Sequence, residues 1–507
     1  MKTDFLVLGG GIAGLSFALK VAKYGTVTIL SKKKLGDTST AWAQGGVAAV
    51  TTKDDSYELH IEDTIKAGAG LSDRKIVEIV VHEGPERVQE LISWGANFDK
   101  EGTSFHLSRE GGHSKRRIFH FGDATGATIQ KVLTDKIKQE KNITVLEGHH
   151  AVDLITTKKV NKSDHNKVIG VYVLCPDGTV KPFLAKSVMV ATGGAGKVYL
   201  YTSNPDVASG DGLAMCSRAG CEVKDLEFMQ FHPTCLYHPK AKAFLITEAM
   251  RGEGAILKRK NGENFMYKYH PDAELAPRDV VARAIDNEMK LYGEDCVFLD
   301  ISHKPESLIK EHFPNIYEKC LSLGIDITKE PIPVVPAAHY MCGGVKCNEY
   351  GETKIEGLYV AGEVACTGLH GGNRLASNSL LEGMVFGHRA AIKAADYINT
   401  VEFPLQVLSW DTGKAIPSDE AVVVTQNWDE VRRTMWNYVG IVRTQKRLER
   451  AEARIALIEK ETLKYYWDYL VTSDLLELRN LTLVAKLIIR AAMNRKESAG
   501  LHYVVGE

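Results

Sequence analysis

The sequence predicts an α/β protein built on a Rossmann-like unit, and three observations carry that expectation. The chain opens with an apolar strand, a glycine-rich turn, an amphipathic helix and a second strand. Two later strands, near residues 190 and 360, also run straight into glycine turns. The composition is 44% hydrophobic and 25% charged over 507 residues, with a formal net charge of −1, as in ordinary globular chains.

The opening "DFLVLGGGIAGLSFALKVAKYGTVTIL" justifies the first unit. Phe5 to Leu8 make a short apolar run suited to a strand buried on both faces. Gly9, Gly11 and Gly14 follow as G-x-G-x-x-G, and Ile12, Leu15, Leu19 and Ala22 give helical spacing before the strand Val27–Leu30. Glycine is needed because only a missing β-carbon lets backbone N–H groups and a helix N-terminus approach a pyrophosphate. Alone the motif is weak; inside a complete βαβ unit it is strong.

A nicotinamide site would place an acid roughly 20 residues after the glycines, to bind ribose hydroxyls. Here Ser31 and Lys32 end the second strand instead. Further on, "SVMVATGGAGKVY" (187–199) and "IEGLYVAGEVA" (355–365) are strands that lead into Gly193 and Gly194, and into Gly362 and Glu363. A site assembled from the start, middle and last third of a chain suits FAD, a long molecule that must be lined from end to end.

Other classes are disfavoured. The length suggests two to four domains, and near-zero net charge gives no attraction to nucleic acid or anionic membrane. Nine cysteines without a Cys-x-x-Cys pair argue against structural zinc, an iron–sulfur cluster or a disulfide framework, so no metal site is expected. No apolar run reaches membrane-spanning length, and no basic leader precedes the first strand. The expected location is the cytoplasm.

Three segments raise local questions. "FHLSREGGHSKRR" (105–117) sets one acid, Glu110, among Arg109, His113, Lys115, Arg116 and Arg117; its plain reading is a solvated loop with a surface ion pair. "Ser379-Leu-Leu-Glu382" reads as a capping box opening a helix through Met384, His388 and Ala391. Beyond about Asp411 the chain becomes helical, and Arg432, Arg433, Arg443, Lys446, Arg447, Arg450 and Arg454 read as a solvated face, with an interface to the flavin domain or a partner as the alternative.

Seven further stretches occur in order: "STAWAQGG" (39–46), "SGDG" (209–212), "EFMQFHPT" (227–234), "TEAMRGEGA" (247–255), "APRDVVARAI" (276–285), "HYMCGG" (339–344) and "GGNRLASNSLLE" (371–382). With them the chain, from Phe5 to about His502, resembles the succinate dehydrogenase/fumarate reductase flavoprotein family, and within it the branch that oxidises L-aspartate. The resemblance implies a Rossmann-like FAD-binding domain in two pieces, 1–225 and 341–410. It also implies an inserted α+β capping domain at 226–340 and a C-terminal helical domain at 411–507.

For FAD the resemblance implies contacts from Gly9, Gly11, Ile12, Ala13, Gly14, Ser31, Lys32, Ser39, Thr40, Gln44, Gly45 and Gly46. It adds Ala151 and Val152 beside the adenine, then Asp211, Glu363, Ser379 and Leu380. Gln230, His232, Thr247, Glu248, His339 and Arg374 match the family's dicarboxylate pocket, and Arg278 matches its proton-transferring residue. An isolated arginine hardly deprotonates near neutrality, so by itself Arg278 reads only as an anion binder.

Two departures choose among relatives. Membrane succinate dehydrogenases tether their flavin to a histidine where this chain has Ser39, so noncovalent FAD is expected. Their apolar residue before the matching glycine pair, typically phenylalanine, is here Glu110. A diacid would be repelled by that carboxylate; the ammonium of L-aspartate would be held by it. The implied reaction is FAD-dependent oxidation of L-aspartate to 2-iminosuccinate, with oxygen or fumarate as acceptor, in the quinolinate route to NAD. Quinolinate synthase is the expected recipient of the labile imine. A soluble fumarate reductase or succinate dehydrogenase flavoprotein is the alternative, and a flavin-binding module without turnover the third reading.

Overall fold

The computed structural model describes residues 1–122, 124–241, 244–403, 407–418 and 420–506. Lys2–Leu8 pairs in parallel with Val27–Ser31 on one side and with Val180–Val190 on the other. Ile143–Glu147 extends the parallel run beyond Val27–Ser31. The long strand Val180–Val190 serves two partners. Its first half pairs antiparallel with Val168–Leu174, which in turn pairs with His150–Thr156; its last residues pair in parallel with Leu358–Val360.

Leu8 therefore lies level with Leu30 and Val190, and Val190 with Val360. Parallel strands in register bring their carboxyl ends to one edge, where an open α/β sheet presents ligand groups. All three glycine turns expected from the sequence meet there, because the chain returns after more than 160 residues to add Leu358–Val360 beside Val180–Val190. Phe5, Leu6, Val7 and Leu8 are buried, as expected of a strand covered on both faces.

Residues between these pieces build a second layer. Its antiparallel sheet has the order Met229–Leu236, Ile332–Met341, Val297–Asp300, Ile256–Lys258. The helix Arg278–Tyr292 packs against the first two strands and begins with Arg278.

Helices Val422–Val439, Gln445–Asp468 and Ser473–Asn494 form the C-terminal region; Thr444 and Thr472 cap the last two by accepting from Arg447 N and Leu475 N. At two positions the basic run packs on the rest of the chain, as its interface reading expects, and not as a solvated face. Arg443 is buried and donates to the Glu227 carbonyl at 2.8 Å, and Arg432 donates to the Leu200 carbonyl at 2.6 Å. These arginines satisfy backbone carbonyls that the helices would otherwise seal from water. No described helix is long and apolar enough to cross a membrane.

Candidate active site

A cavity of about 1440 Å³ opens along the carboxyl-end edge of the sheet. Ser31, Lys32, His150, Ala151 and Asp211 line one end; His232, Thr247, Glu248, Arg278, His339 and Arg374 line the other. Between them lie Gly9, Gly11, Ile12, Ala13, Ser39, Thr40, Gln44, Gly45, Gly46, Glu363, Ser379 and Leu380.

Gly9 has φ +109°, and a β-carbon there would sit 2.2 Å from the Ala191 carbonyl oxygen. Gly14 does not line the cavity. A β-carbon on it would meet the Gly9 carbonyl oxygen at 2.3 Å, so this glycine serves close helix–strand packing. Thr40 Oγ1 accepts from Ile12 N at 3.0 Å and holds the following loop against the helix start. Val152 departs from expectation: it is fully buried in an apolar cluster with Tyr466, Leu475 and Leu476, because alternate residues of its strand face opposite sides.

At the far end Lys32 Nζ donates to Ser209 Oγ, Asp211 Oδ2 and Glu477 Oε1 at 2.6, 2.7 and 2.6 Å. Burial opposes charge on Lys32, but Asp211 and Glu477 outweigh it and raise its pKa. Burial likewise opposes the Asp211 carboxylate, and Lys32 and His150 overcome it, so the acid titrates far below its usual range. Asn480 Nδ2 donates to Asp211 Oδ1 at 2.9 Å, and Ser473 Oγ meets His150 Nδ1 at 2.9 Å. The last helix thus supplies three residues that back the lining of this end. Nothing in their local spacing signals it, since Ser473 and Glu477 lie more than 320 residues from their partners and Asn480 lies 269 from Asp211.

Among the described residues, buried His150 Nε2 has no hydrogen-bond partner of acceptable geometry, although Asp211 Oδ2 lies 3.4 Å away. An orphan donor or acceptor beside a carboxylate and an ammonium suits ribose hydroxyls, and a glycine turn at a helix start suits a diphosphate. The cradle fits FAD.

Glu363 sits midway, its Oε1 accepting from Met341 N at 2.9 Å. Burial pushes its pKa up to about 7, against the opposing pull of that bond and of Arg374. A raised folded pKa means stability present below about pH 4.5 and lost as pH rises through 7. In FAD-free protein Glu363→Gln should match wild type near pH 4.5 and exceed it above pH 8, by up to about 3 kcal/mol. Urea midpoints across that range check this; parallel curves would refute it.

Ser379 and Glu382 do not form the expected capping box. The helix spans Asn378–Tyr397, and its N-cap Ser377 has left-handed φ +63° without a side-chain cap bond. Ser379 Oγ instead accepts from Arg374 Nη1 at 2.7 Å. Glu382 turns inward to Thr367 Oγ1 at 2.6 Å and His370 Nε2 at 3.0 Å, because tertiary partners offer stronger bonds than the helix end.

Arg374 is fixed on three sides. Its Nε and Nη2 donate to Gln230 Oε1 at 3.2 and 2.9 Å, and its guanidinium lies 4.3 Å from the Tyr340 ring centre. Gln230 does not line the cavity; it orients the arginine from behind. Tyr340, which the motif "HYMCGG" contains but did not single out, does line it. Among the described residues Arg374 has no carboxylate partner within ion-pair distance. A buried guanidinium held by neutral groups is a prepared seat for an anion.

Arg278 pairs with Glu248, and behind them Arg251 Nη2 lies 3.9 Å from Glu248 Oε2. Burial works against the charge on Arg278, yet Glu248 and Glu110 hold its pKa up. Burial works against Glu248 as well, and Arg278 and Arg251 bring its pKa down. Arg251 also lines the cavity and was missed, although it follows Glu248 by one helical turn. His232 and His339 are both driven far below the usual histidine range, first by burial and then by Arg278 and Arg374 respectively. Both rings are therefore held neutral, each with one donor and one acceptor nitrogen. Thr247 caps the short helix Glu248–Gly252.

Glu110 faces this group of cations. Its Oε2 accepts from Ser377 Oγ at 2.6 Å, and it lines the same cavity as Arg278 and Arg374. The plain reading of a surface ion pair therefore fails.

Comparison with known proteins agrees with this geometry. The FAD binding domain model matches residues 4–380, and the fumarate reductase flavoprotein C-terminal model matches 428–505. An L-aspartate oxidase of Vibrio cholerae is 55% identical over 99% of this chain and 95% of its own length. A chloroplastic L-aspartate oxidase of Nicotiana tabacum is 48% identical over 99% of this chain and 81% of its own. Among solved structures, an E. coli quinol fumarate reductase superposes with a TM-score of 0.88 at 31% identity, covering 100% of this chain and 92% of that one. With whole-length identity to the first group so far above that to the second, the chain belongs to the L-aspartate oxidases within the fumarate reductase flavoprotein family.

Proposed function

We propose that the protein oxidises L-aspartate to 2-iminosuccinate, the entry to the quinolinate route to NAD, with oxygen or fumarate as electron acceptor. One observation carries this reading: an acid, Glu110, lines the same cavity as Arg374, a buried arginine that has no carboxylate partner among the described residues. An anion seat beside a cation seat matches an amino diacid better than succinate.

In this reading Arg374 forks onto one substrate carboxylate, while neutral His232, His339 and Thr247 donate to the polar ends. Glu110 takes the ammonium. Holding three groups at once fixes the α-carbon, and such positioning supplies much of the rate. FAD, when bound, supplies the two-electron acceptor for the α-hydride. The glycine turn Gly9–Gly14, Ser39–Gly46 and Glu363 hold its middle, and Lys32, Ala151 and Asp211 its nucleotide end. Arg278 meets the substrate as a cation; if a proton is to pass when fumarate is reduced, Glu248 and Arg251 stand behind to restore it.

Ser39 at the tethering position supports noncovalent FAD. The division into a two-piece FAD domain, cap and helical domain, a cytoplasmic site of action and transfer of the imine to quinolinate synthase belong to the same proposal.

Anaerobic addition of L-aspartate to the purified protein should bleach the yellow colour, and succinate should not. Acid precipitation should leave the colour in the supernatant. Bleaching by succinate with none by aspartate would return the protein to the succinate dehydrogenase reading.

A further inference from the structure

The loop that carries Glu110 is pinned by charge buried out of reach of substrate. Arg117 is fully buried; its Nε and Nη2 donate to Asp55 Oδ2 and Oδ1, both at 2.8 Å, and its Nη1 to Asp63 Oδ2 at 2.6 Å. Asp63 Oδ2 also accepts from Ser114 N and Oγ at 2.8 Å each. The same Arg117 Nη1 approaches His113 Nδ1 at 3.2 Å. A guanidinium can only donate, so Nδ1 is the acceptor and the ring proton sits on Nε2. That Nε2 lies 2.9 Å from the carbonyl oxygen of Ala376.

Ala376 immediately precedes Ser377, the left-handed residue whose Oγ donates to Glu110 and accepts from Gly46 N at 3.2 Å. A non-glycine residue in that conformation persists only where its surroundings over-determine it. The chain of bonds runs Asp55 and Asp63, Arg117, His113, Ala376, Ser377, Glu110. Such burial adds little stability, since desolvating an ion pair consumes most of its Coulombic gain. What it provides is a fixed geometry.

We propose that Arg117, clamped by Asp55 and Asp63, is a positioning residue for amine recognition, acting through His113 and Ser377 to fix the carboxylate of Glu110. The inference rests on the reading of Glu110 as the ammonium seat.

The test compares aspartate oxidation with fumarate reduction in His113→Phe and Asp63→Asn, reading kcat and KM separately. The kcat/KM for aspartate should fall about fivefold to tenfold, mainly through KM, with fumarate reduction within twofold of wild type. His113→Gln, whose amide can still donate to Ala376 and accept from Arg117, should recover most of the loss. Adding His113→Phe to Glu110→Gln should cost aspartate nothing further, because both act on one contact. Equal losses on both substrates, or no loss, would overturn the proposal. If Glu110→Gln alone loses aspartate activity while neither of the two variants does, only this inference falls. If Glu110→Gln leaves aspartate untouched, the ammonium reading falls and takes it along. Should His113→Phe not fold, Asp63→Asn decides between the same outcomes.

Discussion

Replacing Arg374 with lysine is expected to lower both aspartate oxidation and fumarate reduction by about 10- to 150-fold in kcat/KM. The charge survives but the planar fork does not, and a lost charge-assisted bond costs about 1.5–3 kcal/mol. The variant loses more than a substrate contact. Gln230 Oε1 and Ser379 Oγ now receive three N–H donors from this one guanidinium, and Tyr340 presents its ring face to it. A lysine ammonium on a flexible stem cannot satisfy the same partners and still reach the cavity. Unchanged kcat/KM with both substrates would remove Arg374 from the site.

Glu110→Gln is expected to separate the two activities. For aspartate the change removes a charge-assisted contact to the ammonium, about 1.5–3 kcal/mol, or roughly 10- to 150-fold in kcat/KM. Glutamine keeps the shape and can still accept from Ser377 Oγ, so the loop has no reason to move. Fumarate has no ammonium, and for it Glu110 is a negative charge near two carboxylates; its reduction should be retained or improve. An exposed ion pair would contribute only about 0–1 kcal/mol and treat both substrates alike. Side-by-side assays decide, and equal losses would mean that this acid holds no amine.

The legible parts of the fold were those with local periodicity. Phe5–Leu8, the glycine turn and the helix from Ile12 were readable because strand, turn and helix each impose a short-range pattern. The late strands at 187–190 and 358–360 were readable as strands, but their adjacency was not, since register is a long-range property. In the site, Arg374 and Glu110 could be singled out by residue type and motif. Glu477, Asn480 and Ser473 could not, because a polar residue on an amphipathic helix looks the same facing water or facing a buried polar partner. Ser379–Glu382 misled for a related reason: a capping pattern describes what a helix end could do alone, and Arg374, Thr367 and His370 outcompeted it.

The last helix gives the chain a timing constraint. Lys32 and Glu477 are separated by 445 residues, so the glycine turn leaves the ribosome long before Lys32 can meet Glu477. At about 5–20 residues per second that interval is roughly 20–90 s. Late in this interval a nascent chain has Lys32 and Asp211 but no Glu477 or Asn480 against them. This end of the cavity therefore takes its final form only when the Ser473–Asn494 helix docks, and without that helix Lys32 and Asp211 lose Glu477 and Asn480, the partners that back them.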